Sequence, residues 1–406
     1  MDASSFIVRN LPNITHQLNA TLNGMYAGLL PSRHDSKNPD PYFFWYVPTT
    51  SKVNTNKLVI WLNGGPGCSS LEGMWTENGP FQFTDAGALV ANPFSWHKQA
   101  NILYVDQPAG TGFSNVFRNT KTFDLYITGE SYAGTYIPYI ASDMIKSKKF
   151  NLKGIALGNP LFDSVLQYPP VSTVSDFDFF NSVGFFKGPK SAETKAQAAN
   201  LAQACKNATL EQSYNLPYNC SVPDLLSDWY TQHHTTFGVG NTCYDAYNVL
   251  NEFPCDNIYD DSGYVKEQYM FTYLNDANVQ KAIHIPPTQW NECNDPKLDD
   301  SQNAASRTLL DPIVASKVKV VIYDGMLDSV CQHLAVEQAL GNTTWGGEVG
   351  FKVKPKEWMV SGSWKSAGKI WKNDRGLTYI RVKGAGHMVP ADAPGSASAV
   401  LDELLC

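Results

Sequence analysis

One serine between closely spaced glycine and alanine residues constrains this chain more than any other feature. Residues 129–134 read Gly-Glu-Ser-Tyr-Ala-Gly, directly after the apolar segment 124–128 and before a stretch, 135–144, that can form a helix. A sharp turn between a buried strand and a helix strains the serine backbone and leaves room at its flanks for little more than glycine. The pattern therefore predicts a nucleophile elbow that presents Ser131 Oγ at the carboxyl end of a strand.

Segments typical of β-strands alternate with stretches that can form helices. Short apolar strands that end in turn residues and are separated by helices predict an α/β fold, with a mostly parallel sheet covered on both faces. The predicted strands are residues 42–47, 57–62, 101–106, 125–128, 152–157, 318–323 and 377–382.

The character of the sequence changes between residues 167 and 284. Residues 192–205 are rich in alanine and predict a helix, whereas residues 206–261 resemble loops and contain three of the eight cysteines. We therefore expect an α/β core formed by residues 1–166 and 285–406. Residues 167–284 are predicted to form an insertion, or cap, held together by disulfides.

The connection between the predicted strands 101–106 and 125–128 is unusually short. We expect these strands to be parallel neighbours, which requires a crossover connection. Residues 108–124 must then supply the glycine-containing loop 109–114 and a helix, yet the remaining residues show little helical periodicity. The sequence therefore suggests that residues are missing near 115–124.

Charge and hydropathy exclude several classes of partner. A net charge of −7 argues against nucleic acid and against an anionic membrane surface. No apolar run reaches the length of a bilayer span, and the chain does not begin with a basic and then apolar leader. We expect a soluble chain without membrane contact, from which any signal peptide has been removed. A membrane anchor following the chain and the oligomeric state both stay open.

Cysteines and glycosylation sequons favour the secretory pathway. The eight cysteines are too scattered for a zinc cluster and include no Cys-x-x-Cys pair, so we expect disulfides, no metal and no other cofactor. Several sequons in the same chain fit a glycosylating compartment better than the alternative, a cytosolic protein with free thiols. The sequons lie at Asn13, Asn19, Asn207, Asn219 and Asn342.

Two residues late in the chain complete a possible catalytic triad. A serine nucleophile needs a base, and the base needs an acid that orients it. In chains with a nucleophile elbow these follow in the order Ser, Asp or Glu, His. Asp328 and His387 each come just past a predicted strand, where the site of an α/β protein forms. His333 is a rival base, but it is close to Asp328 in sequence and lies in a helix-like stretch.

A glycine-rich loop after the strand 57–62 is suited to an oxyanion hole. The segment Asn-Gly-Gly-Pro-Gly at 63–67 contains more glycine than a simple tight turn needs. Backbone N–H groups of such a loop, together with the residue after the nucleophile, stabilise the oxyanion of acyl transfer. We assign these donors to Gly65 and Tyr132.

Four motifs together resemble the serine carboxypeptidase family. They are Trp-Leu-Asn-Gly-Gly-Pro-Gly-Cys-Ser-Ser at 61–70, Asp-Gln-Pro-Ala-Gly-Thr-Gly-Phe-Ser at 106–114, the segment 129–134, and Gly-Ala-Gly-His-Met-Val-Pro at 384–390. The resemblance covers nearly the whole chain and is greatest to the fungal pheromone-processing enzymes of the carboxypeptidase D type. The features shared with those enzymes are Met25–Gly28, Tyr42–Trp45, the cysteines around Cys243–Asn248, and Trp345–Gly347.

The resemblance implies an α/β-hydrolase fold with a mixed, mostly parallel sheet, helices on both faces and a disulfide-stapled cap. It also implies that Asn63, Glu77 and Glu130 grip the α-carboxylate of the substrate. An anion is tolerated beside two carboxyl groups only if they share a proton, so that a carboxylic acid can donate a hydrogen bond. The family has a longer segment between Ser114 and Tyr126, in line with the short connection noted above.

The same resemblance places two residues at the pocket for the C-terminal side chain. Glu72 would line it and pair with Lys or Arg, and Met388 would form its apolar floor. The alternative for Glu72 is a solvated surface glutamate. For the cysteines, the family implies the pairs Cys68–Cys293, Cys205–Cys220 and Cys243–Cys255, with Cys331 as a buried free thiol and Cys406 unassigned.

The resulting expectation is a serine carboxypeptidase of the secretory pathway lumen, in the Golgi or in a vacuolar or extracellular space. It would remove C-terminal residues, above all Lys and Arg, from peptides and propeptides, with an acid pH optimum. One alternative is a broad-specificity vacuolar or secreted carboxypeptidase. Others are an acyltransferase or esterase, which needs no carboxylate clamp, and a catalytically silent adhesion module, which would normally have lost Ser131 or His387.

Overall fold

In the described part of the chain, ten strands form one mixed sheet. The computed structural model describes residues 2–14, 18, 24–31, 41–108, 111, 123–187, 191–233, 242–254, 265–296, 298, 303–360 and 364–406. The strands are β1 (Tyr26–Pro31), β2 (Pro41–Val47), β3 (Lys57–Leu62), β4 (Phe81–Phe83), β5 (Leu89–Ala91), β6 (Asn101–Val105), β7 (Asp124–Glu130), β8 (Leu152–Gly158), β9 (Thr242–Tyr244), β10 (Glu252–Pro254), β11 (Lys319–Gly325), β12 (Thr344–Trp345), β13 (Glu348–Val349), β14 (Lys356–Met359), β15 (Ser366–Asp374) and β16 (Leu377–Val382).

The main sheet has the order β1-β2-β6-β3-β7-β8-β11-β16-β15-β14. Strands β6 to β16 in this order are parallel to one another, and the outer strands at both edges are antiparallel. All seven strands predicted from the sequence are present within one or two residues, and the α/β fold is confirmed. Three strands of the main sheet were not predicted, namely β1 and β14 at its edges and β15 beside β14.

One expected strand pairing is wrong. Strands β6 and β7 are not neighbours, because β3 lies between them and pairs in parallel with both. The reason is that a crossover in an α/β sheet can step over a strand that is already in place. Residues 112–122, and with them most of the short segment 115–124, lie outside the described residues.

Two apolar clusters cover the two faces of the sheet. Within β3, Val59 and Trp61 belong to one cluster, whereas Leu58 and Ile60 belong to the other. This alternation follows from the two-residue period of a strand whose faces are both buried. The described helices are Ala133–Ser147, Ser164–Gln167, Thr173–Ser182, Ser191–Cys205, Leu210–Ser213, Val222–His233, Val265–Leu274, Ala277–Ala282, Leu310–Ala315, His333–Gly341, Val389–Asp392 and Pro394–Leu405.

A third apolar cluster lies within the predicted insertion. It includes Phe179, Leu201 and Leu226. The expectation that residues 206–261 are all loop is wrong. Helix Val222–His233 and the antiparallel hairpin β9–β10 occur there. The apolar residues Val222, Leu225, Leu226, Trp229 and Tyr230 of that helix recur at helical spacing, so its local signal was present and was overlooked. The domain division at 167 and 284 stays a prediction.

Two disulfides join described cysteines. Cys68 is bonded to Cys293, and Cys205 to Cys220. Cys243 is also disulfide-bonded, while Cys255 lies outside the described residues. Of the described cysteines, Cys331, which is buried, and Cys406, which is exposed, are free. Among the described residues, no helix has the length and apolar character needed to cross a membrane.

Candidate active site

The segment around Ser131 forms a sharp turn between β7 and helix Ala133–Ser147. Ser131 has φ of 60°, in the left-handed region that residues other than glycine rarely occupy. Its N–H donates to the carbonyl of Gly158 at 2.9 Å, and its own carbonyl accepts from the Leu161 N–H at 3.0 Å. These bonds hold the strained backbone in place, as is common where strain serves function.

Close packing explains the glycines of this turn. A Cβ atom at Gly129 would overlap the carbonyl oxygen of Leu62, and one at Gly134 would lie 2.5 Å from Pro160 Cβ. The strand before Ser131 and the helix after it therefore approach their neighbours at backbone distance. Larger residues at either position would push the turn out of register with the sheet.

Asp328 and His387 meet on neighbouring loops that follow β11 and β16. Asp328 Oδ2 and His387 Nδ1 are 2.7 Å apart, and both side chains are buried. Asp328 also accepts hydrogen bonds from the Val330 N–H at 2.7 Å and from Asn159 Nδ2 at 2.7 Å. An imidazole held at Nδ1 by a fixed carboxylate can accept a proton at Nε2.

The surroundings of His387 favour its charged form. Burial alone lowers the pKa of His387, but the charge and the hydrogen bond of Asp328 outweigh it, so the pKa is raised above the ordinary value. Glu130 and Asp245 act in the same direction. The site can therefore stabilise an imidazolium formed during a reaction.

Ser131 Oγ and His387 make no hydrogen bond with each other, although both belong to the described part of the chain. In ligand-free active sites such contacts are often long and tighten when substrate binds. The two loops nevertheless lie close, since Glu130, the residue before Ser131, contributes to the electrostatics of His387.

His333 has surroundings unsuited to a base. It is the first residue of helix His333–Gly341 and packs against the ring of Phe179, with ring centroids 5.8 Å apart. Burial, together with the charge of Arg381, lowers the pKa of His333 to about 3. A histidine with so low a pKa takes up a proton poorly at neutral or mildly acid pH.

The glycine-rich loop after β3 faces the turn at Ser131. A Cβ atom at Gly64 would lie 2.6 Å from Tyr132 N and 2.7 Å from Ser131 Cβ, so glycine is what allows this approach. Gly65, the next residue, has φ of 102°. The assignment of the Gly65 and Tyr132 N–H groups to an oxyanion hole stays a prediction, and this close approach supports it.

The amide of Asn63 holds two acidic side chains. Its Nδ2 donates to Glu72 Oε2 at 3.1 Å and to Glu130 Oε1 at 3.2 Å. Its Oδ1 accepts from Trp61 Nε1 at 2.6 Å and from the Gly73 N–H at 3.3 Å. Both amide hydrogens of Asn63 are already donated to the glutamates. A substrate carboxylate can therefore accept a hydrogen bond from Asn63 only after Glu72 or Glu130 gives up its own.

Glu77 and Glu130 form a buried pair of carboxyl groups, each 4% exposed. Burial raises the pKa of both well above the usual range; Glu72 adds to the shift of Glu77, and Glu77 to that of Glu130. Two carboxyl groups in contact share a proton rather than both ionise. While it holds that proton, the pair can donate a hydrogen bond to an anion.

Glu72 belongs to a cluster of three acids. Carboxylate oxygens of Glu72, Glu267 and Glu292 lie within 4.8 Å of one another. Burial, followed by the charges of Glu292 and Glu130, raises the pKa of Glu72 well above the usual range. These surroundings differ from those of a solvated surface glutamate, and they attract a cation, whether an ammonium, a guanidinium or a metal ion.

The remaining predicted site residues have mixed surroundings. Met388 follows His387 and is 2% exposed, and its role as the floor of a pocket stays a prediction. Glycosylation likewise stays a prediction. The sequon asparagines at the exposed surface are Asn13, Asn207, Asn219 and Asn342, while Asn19 lies outside the described residues.

Comparison with known proteins decides the family. The family profile described as "Serine carboxypeptidase" matches residues 12–121 and 115–405, almost the entire chain. The chain belongs to the serine carboxypeptidase family. It is thus a serine-type carboxypeptidase, a hydrolase that removes residues from the C-termini of peptides.

Relatives of this carboxypeptidase include two fungal enzymes named pheromone-processing carboxypeptidase. The chain is 30% identical over 449 residues to kex1 of Aspergillus clavatus, covering 99% of this chain and 70% of that protein. It is 31% identical over 453 residues to KEX1 of Verticillium alfalfae, covering 99% of this chain and 68% of that protein. A crystal structure of a prohormone-processing carboxypeptidase from Saccharomyces cerevisiae shares the fold, with a TM-score of 0.80, 24% identity and coverage of 100% and 96%.

Sequence reasoning missed three residues at the site of this carboxypeptidase. Asn159 directly follows β8, so its position at a strand end was a usable signal for the contact with Asp328. Glu292 precedes Cys293, whose disulfide to Cys68 brings it to the glycine-rich loop. Glu267 lies on helix Val265–Leu274, and nothing in its local sequence marks it.

Proposed function

We propose that this carboxypeptidase removes C-terminal Lys and Arg from peptides and propeptides, with Ser131 as nucleophile, His387 as general base and Asp328 as the acid that orients it. The observation that carries the proposal is that the Asn63 amide contacts both Glu72 and Glu130, the residue before Ser131. The charge of Glu130 in turn acts on His387, which is held by Asp328.

The proposed reaction has two acyl-transfer steps. His387 takes the proton of Ser131 as Oγ attacks the last peptide carbonyl, and the N–H groups of Gly65 and Tyr132 stabilise the oxyanion. The C–N bond breaks as His387 returns the proton to the leaving amino acid. Water then attacks the acyl-enzyme with the same base, which releases the shortened peptide and regenerates Ser131.

The carboxylate clamp accounts for an acid optimum. A free α-carboxylate would accept hydrogen bonds from Asn63 Nδ2 and from the protonated Glu77–Glu130 pair. The pKa of this pair is raised by burial, so the proton stays on it into the mildly acid range and is lost as pH rises. Without the proton, three negative charges would meet, and binding of the peptide would weaken.

The preference for basic residues would come from Glu72. A Lys or Arg side chain that draws Glu72 to itself breaks the Glu72–Asn63 hydrogen bond and frees an amide hydrogen for the α-carboxylate. Recognition of the side chain would then promote recognition of the chain end. Glu267 and Glu292 add negative potential at the same place.

The test compares release of Lys, Arg, Leu and Phe from otherwise identical N-blocked peptides by the parent enzyme and by Glu72→Gln. A charge-assisted pair is worth about 1.5–3 kcal/mol, so kcat/KM for Lys and Arg should fall about ten- to a hundredfold. Release of Leu and Phe should be unchanged or faster. A uniform loss, or no loss for Lys and Arg, would return the enzyme to the broad-specificity alternative.

A control separates the two cations that the acidic cluster could attract. If the cluster binds a divalent metal instead of a substrate side chain, EDTA should alter the preference for Lys and Arg in the parent enzyme. An unchanged preference supports the substrate side chain. The esterase alternative would be favoured if the enzyme hydrolysed a simple ester substrate but failed to cleave peptides with a free C-terminal carboxylate.

A lumenal compartment of the secretory pathway fits the chemistry proposed here. Disulfides persist in oxidising compartments, and the chain has at least two of them. The fungal relatives are named as pheromone-processing enzymes, and propeptides cut after basic residues carry the C-terminal Lys or Arg that this site would accept. Glycan attachment at the exposed sequons, detected as a mass decrease on deglycosylation, tests this placement.

A further inference from the structure

A loop of the insertion touches both loops that carry the Asp328–His387 pair. This loop, residues 245–251, connects β9 to β10. The carbonyl of Ala246 accepts the Ser329 N–H at 3.0 Å, and the carbonyl of Tyr247 accepts the His387 N–H at 2.6 Å. The backbone beside Asp328 and the backbone of His387 are thus hydrogen-bonded to the carbonyls of two consecutive residues in the same loop.

One carboxylate oxygen fastens this loop to the core. Asp392 Oδ2 accepts from the Gly386 N–H at 2.7 Å and from Asn248 Nδ2 at 3.0 Å. Gly386 directly precedes His387, and Asn248 is buried in the loop. A Cβ atom at Gly386 would overlap the Tyr247 carbonyl, so the two backbones are in direct contact.

We propose that Asn248 and Asp392 are positioning residues that hold the backbone of His387, and with it the imidazole, in line with Asp328. The inference rests on the catalytic roles proposed above for Asp328 and His387. The loop 245–251 of the predicted insertion then has a part in catalysis. A base that is displaced by about 1 Å can cost about a hundredfold in rate, because the reacting atoms no longer align.

The two hydrogen bonds to Oδ2 require an acceptor oxygen at position 392. Asp392→Asn keeps one oxygen that can accept both hydrogen bonds, whereas Asp392→Ala removes it. We expect Asp392→Ala to lower kcat about tenfold or more, with KM changed by less than about threefold. Asp392→Asn should recover most of the lost kcat. Asn248→Ala, which removes the donor, should also lower kcat with KM preserved.

The experiment measures kcat and KM of the full chain on a peptide with a free C-terminus, well below the unfolding temperature of each variant. Asp402→Ala, on the helix Pro394–Leu405, removes an exposed acid and serves as the matched control with unchanged kcat. Asn248→Ala decides the matter if Asp392→Ala does not fold. Unchanged kcat in the folded alanine variants, or an Asp392→Asn enzyme as slow as Asp392→Ala, would overturn the inference.

A His387→Ala variant distinguishes this inference from the proposed function. If His387→Ala retains turnover, the assignment of the base fails and the positioning role fails with it. If His387→Ala is inactive while the Asn248 and Asp392 variants keep full kcat, only the positioning role is refuted.

Discussion

At the residue scale, the hydroxyl of Ser131 is separable from the turn that presents it. The strain at φ of 60° is held by backbone hydrogen bonds to Gly158 and Leu161, none of which involves Oγ. Ser131→Ala should therefore fold normally and lose the peptidase activity by more than about a thousandfold, as is typical for a member of a catalytic triad. The measurement is peptide turnover together with the thermal midpoint. Residual turnover above about one part in a thousand would refute Ser131 as the nucleophile.

Glu130 gives the second prediction at this scale. Glu130→Gln replaces half of the proton-sharing pair by an amide that donates a hydrogen bond at every pH. KM for free-acid peptides should therefore depend less on pH, and the substitution should harm binding more at low pH than at high pH. Peptides with an amidated C-terminus, which lack the carboxylate, serve as the control with a different pH profile. An unchanged pH profile for free-acid peptides would mean that the clamp is wrongly assigned.

At the element scale, the turn between β7 and helix Ala133–Ser147 packs so closely against its neighbours that it leaves no room for a side chain at Gly134. Gly134→Ala places a methyl group 2.5 Å from Pro160 Cβ and 2.9 Å from the Leu161 carbonyl, so it should lower the free energy of unfolding by about 1–3 kcal/mol. Gly341→Ala is the matched control, because a Cβ there meets nothing within 4 Å. It should be neutral or stabilising by up to about 1 kcal/mol. Denaturant titration measures both, and equal effects would contradict the packing argument.

At the scale of the whole molecule, buried carboxyl groups tie stability to pH. Burial raises the pKa of Asp176 and of Asp245 to about 7. The pKa is also raised for Glu72, Glu77, Glu130 and Asp324. A group with a raised pKa binds more protons in the folded than in the unfolded state, so its contribution is complete below its unfolded pKa and is lost as pH rises towards its folded pKa.

Two buried histidines act in the opposite sense but are outnumbered. The pKa of His97 is lowered to about 4 and that of His333 to about 3, mainly by burial, so both destabilise the fold as pH falls below about 6.5. The balance predicts a higher thermal midpoint near pH 5 than near pH 8. Calorimetry from pH 5 to pH 8 measures the thermal midpoint. A midpoint that is constant or increases over this range would contradict the prediction.

The sequence by itself determined the features whose signal is local. The nucleophile elbow is a contiguous strand, turn and helix, so its glycines and Ser131 were readable from one segment. Asp328 and His387 were readable because each lies on the loop just past an apolar strand, and parallel strands bring their carboxyl ends to one edge. The motifs around Asn63, Ser131 and His387 also identified the serine carboxypeptidase family, which the comparisons confirm.

Only the tertiary structure decided the features that join distant segments. Three such features depend on how remote parts of the chain pack together. They are the strand order β6-β3-β7, the proximity of Glu267 and Glu292 to Glu72, and the hydrogen bond from His387 to the loop 245–251. Such contacts leave no periodic trace, because burial and hydrogen bonding are satisfied across space and not along the sequence.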